Sequence, residues 1–205
     1  NDGCNDSRHD GIHAFHVGKN ANVTYAEKHY GEGSGTGERI LNPVTQIFLE
    51  EGAVFTLDTA QIGGVDSTVR KTEVSMEADA KLFVMEKLMT HDNQTAVSDM
   101  TVEMNGAGSS AQIVSRSVAK GHSVQTFHPI AIGNALCHAH VQCDSIIMDK
   151  AQISSIPEIN ARDIDAQIIH EAAIGRINNE QILKLRTFGM TEEEAEAVII
   201  EDFLA

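Results

Sequence analysis

Thr95-Ala96-Val97-Ser98-Asp99-Met100-Thr101-Val102-Glu103-Met104-Asn105-Gly106-Ala107 decides the fold class of this 205-residue chain. Successive side chains of an extended strand point to opposite faces. Met100, Val102 and Met104 therefore share one face, and Asp99, Thr101 and Glu103 the other. That is the alternation of a strand with one side buried. Asn105-Gly106 then breaks the run as a turn, and Ala107 follows it.

The same sign, a turn-type residue followed by Ala, recurs along the chain. It falls at Ala21, Ala53, Ala80, Ala107, Ala135, Ala151 and Ala166, with spacings of 32, 27, 27, 28, 16 and 15. A coil that returns on itself at a fixed length places a small residue at the same tight corner each time, which is the logic of a parallel β-helix. Further breaks lie at Gly63-Gly64, Lys120-Gly121, Gly133-Asn134 and Asp149-Lys150. The strand pattern by itself also admits an antiparallel sandwich or a cupin-like barrel.

Beyond residue 177 the period changes, dividing the chain into a β-rich core, 1–177, and a helical hairpin, 178–205. Asn178 can cap a helix carrying Ile182, Leu183, Leu185 and Phe188, with Gly189 as its C′ stop. Thr191 and Glu194 form a capping box for a second helix, whose expected apolar stripe is Ala195, Val198, Ile199 and Phe203. Such a hairpin either caps the core or docks on a partner.

Composition excludes several roles. Asp and Glu total 30 against 15 Lys and Arg, a net charge of −15 that phosphate backbones repel. Aromatics are 4% with no Trp, too few for a base-stacking platform. No apolar run approaches the ~18 residues of a membrane span. Three cysteines (Cys4, Cys137, Cys143) do not make a disulfide framework, so a reducing cytoplasm is the expected setting. The chain opens on Asn1 without a signal-peptide pattern, and upstream sequence is expected. The run Gly31–Gly37 lacks a GK[ST] ending and reads as a flexible loop, so ATP binding by a P-loop is not expected of this chain. There is no G-x-S-x-G elbow and no C-x-x-C pair.

Two clusters can carry chemistry. In Cys137-His138-Ala139-His140-Val141-Gln142-Cys143-Asp144, an extended strand puts His138 and His140 on one face about 6.6 Å apart, close enough for a shared metal. Cys137 and Cys143, about 20 Å apart, cannot share an ion. His170-Glu171 ends a second β-like run, and imidazole with carboxylate suits iron or zinc.

The last third of the chain resembles the SufB/SufD family, the non-ATPase subunits of the SUF iron–sulfur assembly machine. The resemblance rests on Val141-Gln142-Cys143-Asp144-Ser145 and Ile156-Pro157-Glu158-Ile159. It continues through His170-Glu171-Ala172-Ala173-Ile174-Gly175-Arg176-Ile177, Asn179-Glu180-Gln181-Ile182 and Phe188-Gly189-Met190-Thr191-Glu192-Glu193-Glu194-Ala195, about 65 residues in all. Asn20-Ala21-Asn22-Val23 and Glu27-Lys28-His29-Tyr30 match more diffusely.

The resemblance implies a right-handed parallel β-helix with a short helical C-terminal segment. It implies a dimer through β-helix edges, either a homodimer or a heterodimer with a SufB/SufD paralogue. It also implies docking of the ABC-type ATPase SufC on the terminal helices, for which Ile182, Leu185, Phe188, Ala195, Val198, Ile199 and Phe203 are the candidates. The implied role is a non-catalytic scaffold for a nascent, transient iron–sulfur cluster, with ATP hydrolysis in the partner. By the same resemblance Cys143 is the sulfur acceptor or cluster ligand, and His170 and Glu171 are iron ligands. Ile169 stands where SufB usually has Glu, so one ligand is lost. Ile174-Gly175-Arg176-Ile177 is nearer to SufD while Cys143 and His170-Glu171 are nearer to SufB, a mixture that implies one chain serving as a homodimer with two SufC subunits. Two other readings stand beside this one. One is a cupin-like metalloenzyme using His138, His140, His170 and Glu171. The other is a structural partner of an ABC ATPase with no cluster site of its own.

Overall fold

The computed structural model describes residues 6–30 and 37–205. Cys4, and the glycine-rich run apart from Gly37, lie outside the described residues. In chain order the strands are β1 (Ser7–His9), β2 (Ile12–Val17), β3 (Asn22–Tyr30), β4 (Arg39–Leu41), β5 (Val44–Leu49), β6 (Val54–Ile62), β7 (Ser67–Met76) and β8 (Lys81–Thr90). They continue with β9 (Thr95–Met104), β10 (Ser109–Ala119), β11 (Val124–Gly133), β12 (Cys137–Ile147), β13 (Gln152–Ser155), β14 (Glu158–Ala161) and β15 (Gln167–Gly175). Helices α1 (Asn179–Thr187) and α2 (Glu192–Leu204) close the chain.

Every strand pairing among the described residues is parallel. One sheet runs β3-β6-β8-β10-β12-β15; the other contains β4, β7, β9, β11 and β13 in order, with β5 and β14 beside them. The chain alternates between the sheets, so it is a parallel β-solenoid of about six turns. Antiparallel sandwiches and cupin-like barrels are thereby excluded.

The corner expected from the sequence exists, with two members shifted. Strand register aligns Ala21, Ala53, Ala80, Ser109, Cys137 and Ala166 as the residues entering the first sheet, 32, 27, 29, 28 and 29 residues apart. Ala107 and Ala135 fall two residues early, and Ala151 belongs to the opposite corner, beside Ser123. The residues before the first four members, Asn20, Gly52, Asp79 and Gly108, all have positive φ. Side-chain-bearing and bare residues alternate for a steric reason. A Cβ on Gly52 would lie 2.2 Å from Asn20 Oδ1, and one on Gly108 2.2 Å from Asp79 Oδ1. Each Asn or Asp folds over space that only a glycine in the next coil leaves open.

The interior is divided lengthwise. Inward residues in the first half of the sheet strands are apolar: Val23, Phe55, Leu82, Ala111, Ala139 and Ile168 form one cross-strand row. Tyr25, Leu57, Val84, Ile113, Val141 and His170 form the next. Two residues further along, the row is Glu27, Thr59, Glu86, Ser115, Cys143 and Ala172, almost all polar. The facing sheet matches this split, with Arg70, Ser98 and Gln125 buried opposite the polar half. Val74, Met76, Met100, Val102 and Met104 lie in the apolar core.

Buried polar groups cost about 1–3 kcal/mol each when unpaired, and here they are paired. Glu27 Oε2 accepts from Arg70 at 3.3 Å, and Glu86 accepts from Ser98 at 2.8 Å and Ser115 at 3.4 Å. Ser117 and Ser145 share a 2.8 Å bond. Gln125 donates to Thr90 Oγ1 at 2.8 Å and to the Val118 carbonyl at 2.9 Å.

The tail folds with the capping read from the sequence. Asn178 accepts from the Glu180 N–H at 2.9 Å, Gly189 has φ +93°, and both bonds of the Thr191–Glu194 capping box form. The buried face of α2 differs from the expected stripe: Ala195, Ile200 and Leu204 are buried, whereas Val198 is 42% exposed. Because α2 touches both α1 and β10, it buries two sides instead of one. Ile200 and Leu204 pack with Val118 and Met148. Lys87 and Arg116 donate to the Ala205 and Phe203 carbonyls at 2.6 and 3.3 Å, placing cations at the negative end of the helix.

Candidate functional site

Cys143 lies in the polar row of β12, and His170 ends the apolar row through β15. The two residues are diagonal neighbours on adjacent strands and both point inward. Diagonal positions lie about 7–8 Å apart at the backbone, and the imidazole spans that gap: Cys143 Sγ is 3.4 Å from His170 Nε2. From the facing sheet, Ser155 Oγ donates to the same sulfur at 3.5 Å.

Electrostatics keep this pair neutral. Burial pushes the Cys143 thiol above its ordinary value, the Ser155 hydrogen bond opposes that shift, and the charges of Glu86 and Asp144 add to it. Burial also holds His170 below the usual imidazole range. A protonated thiol donating to an unprotonated Nε2 satisfies both groups. A thiolate would need a cation to form there, and a metal supplies one.

The spacing suits such an ion. With bonds of about 2.3 Å to sulfur and about 2.0 Å to nitrogen, two ligands of one tetrahedral metal sit about 3.5 Å apart, against the 3.4 Å observed. The pair supplies two of the four positions. Among the described residues no group of three or more His, Cys, Asp and Glu side chains is arranged to hold a metal ion.

The other candidates separate from this pair. Glu171 follows His170 in an extended strand and therefore faces outward, where its carboxylate lies 3.4 Å from His140 Nε2 and is 67% exposed. His170 and Glu171 thus cannot bind one ion within a single chain, and the cupin-like four-ligand set dissolves. His138 shares the outer face with His140 and is exposed. Cys137 fills a small-residue corner position, and burial raises its thiol.

Of the residues considered for docking, Ile182 and Ala195 are buried and unavailable to a partner. Leu185, Ile199 and Phe203 are half-buried. Phe188, 74% exposed, and Val198 are open, as is Leu183. Sequence reasoning missed Ser155, Glu86 and Ser115 around the thiol. Ser115 stands 28 residues before Cys143, one coil length, and that interval was the available signal.

The chain matches the family model described as "SUF system FeS cluster assembly, SufBD core domain" over residues 7–128 and 68–203. It belongs to the SufBD family. Relatives described as iron-sulfur cluster assembly SufBD family proteins include one from Methanocaldococcus jannaschii, 29% identical over 92% of this chain and 60% of the relative. One from Pyrococcus horikoshii is 30% identical over 97% and 60%, and one from Archaeoglobus fulgidus 28% identical over 96% and 52%. The chain thus spans 60% or less of the length of these SufBD relatives.

Proposed function

We propose that this chain is a scaffold subunit of a SUF-type iron–sulfur assembly complex, on which Cys143 and His170 hold nascent cluster iron. The reading rests on the 3.4 Å approach of Cys143 Sγ to His170 Nε2 inside a SufBD core. The cluster is cargo: it forms on these ligands and leaves for another protein. The chemistry of ATP hydrolysis belongs to a SufC-type ABC ATPase, in keeping with the absence of a P-loop from this sequence.

A second SufBD-type chain, a copy or a paralogue, completes the ligand set across the last coil. That coil offers the apolar side chains Ile156, Ile159, Ile164, Ile169 and Ile174, all exposed. Glu171 and His140 face outward there, on the side from which a partner approaches. The ATPase docks on the exposed face of the terminal hairpin, at Leu183, Phe188 and Val198. The compartment proposed for this work is the cytoplasm; among the described residues no helix is long and apolar enough to cross a membrane.

Anaerobic reconstitution with iron and sulfide tests the site. The wild-type chain retains iron, sulfide and cluster absorbance, and Cys143→Ser and His170→Ala each lose most of all three. Retention of a full cluster by both variants defeats the assignment. Capture of the ATPase by wild type, weakened at least tenfold in Phe188→Asp, tests the docking face separately.

A further inference from the structure

The polar half of the interior contains one polar atom without a partner. Gln61 is 5% exposed, and its Oε1 accepts no hydrogen bond in the structure. The side chain lines a small internal cavity together with Thr59, Thr68, Arg70, Glu86 and Ser98. The cavity leaves about 10 Å3 for the centre of a water-sized sphere, about the room that one water molecule needs.

We propose that a single structural water occupies this cavity, donating to Gln61 Oε1 and to the Glu86 carboxylate and accepting from Arg70. The donor and acceptor inventory selects water over a metal cation. The guanidinium has N–H groups that need an acceptor, and its charge repels a cation. Gln61 Oε1 and the carboxylate both need a donor. Water alone meets the two demands at once, and a site with three polar partners is the usual setting of a buried water.

The site explains how the interior tolerates Glu86. This carboxylate is 4% exposed and has no salt-bridge partner among the described residues. Two hydroxyls reach it directly. The water brings Arg70, already bonded to Glu27, into contact with a second carboxylate. Glu86 also lines the next cavity along the core, the one that contains Cys143, Ser115 and Ser155. The water thereby links Glu27, Arg70, Glu86 and the surroundings of Cys143 into one hydrogen-bonded line, a connection independent of the assembly role proposed above.

A crystal structure of the wild-type chain at a resolution that shows ordered water tests the occupancy. Density within hydrogen-bonding distance of both Gln61 Oε1 and an Arg70 nitrogen is expected, and an empty cavity overturns the proposal. Urea unfolding of Gln61→Met tests the bridge without crystals. The variant is expected to lower the folding equilibrium constant about tenfold, because the water loses a partner while Glu86 and Arg70 remain. Equal or greater stability in Gln61→Met means that Oε1 was an orphan whose removal relieves a penalty, and likewise overturns it.

Discussion

Leu57 and Thr59 sit two residues apart on the same inner face of β6, yet belong to different halves of the core. Leu57 continues a row of apolar side chains, and Thr59 a row containing two carboxylates. The apolar half is held by close packing of Phe55, Leu82, Met76 and Val102, each essentially without solvent exposure. The polar half is held by partner matching: Glu27 with Arg70, Glu86 with Ser98 and Ser115, Ser117 with Ser145. A solenoid can carry both because each coil repeats the same split at the same place, so like meets like from one turn to the next. Cys143 is in the polar half, and the imidazole that reaches it intrudes from the apolar half.

The comparison is broken most strongly by truncation. Phe55→Ala removes a ring from the apolar half and is expected to cost about 3–5 kcal/mol by urea unfolding. Arg70→Met leaves Glu27 buried without its cation and is expected to cost about 3–5 kcal/mol. Adding Glu27→Leu to that variant should restore at least half of the loss. An additive double mutant would mean that the two residues do not act as a pair.

A second test sharpens the contrast through pH. The folded-state pKa of Cys143 is raised, so its contribution to stability is present below the unfolded thiol pKa and is lost as pH rises toward the folded one. The pKa of His170 is lowered, so its contribution is present above the unfolded imidazole pKa and is lost as pH falls toward the folded one. Stability differences between wild type and the two variants should therefore bend in opposite directions. For Cys143→Ser the bend lies above about pH 8.5, and for His170→Ala below about pH 6.5. Thiol alkylation of Cys143 in the native protein should also be slower at neutral pH than that of an exposed cysteine peptide.

The smallest effect belongs to an ordinary polar pair. Ser117→Ala removes the 2.8 Å bond to Ser145 and is expected to cost about 1 kcal/mol. A cost near that of Phe55→Ala would show that the polar half is as intolerant of substitution as the packed half.

Much of this was legible in the sequence. The turn-and-Ala spacing identified coils, since a corner has room for a small residue in every layer. It misassigned Ala107 and Ala135, because Ser109 and Cys137 are also small enough for the corner and the pattern sought only alanine. The helix caps were readable because capping is local chemistry. The face of α2 was not, because a helix wedged between two surfaces buries positions that a single stripe does not contain. At the site, the 27-residue separation of Cys143 and His170 pointed to adjacent coils. The outward turn of Glu171 follows from strand alternation, but only once β15 is known to remain extended through both residues. The partners of the thiol, Ser155 above all, come from the facing sheet, and no local pattern announces them.

The corner ladder of Asn20, Gly52, Asp79 and Gly108 carries a consequence for descent. Adding or deleting one whole coil preserves the register of every row, whereas a change of a few residues turns polar side chains into the apolar half. Evolution of this core is thereby quantised. Duplicating a coil between Glu86 and Cys143 would carry the thiol about 4.8 Å along the axis and leave its chemistry intact, so length can vary between lineages in whole turns while the last one keeps its place beside the helices.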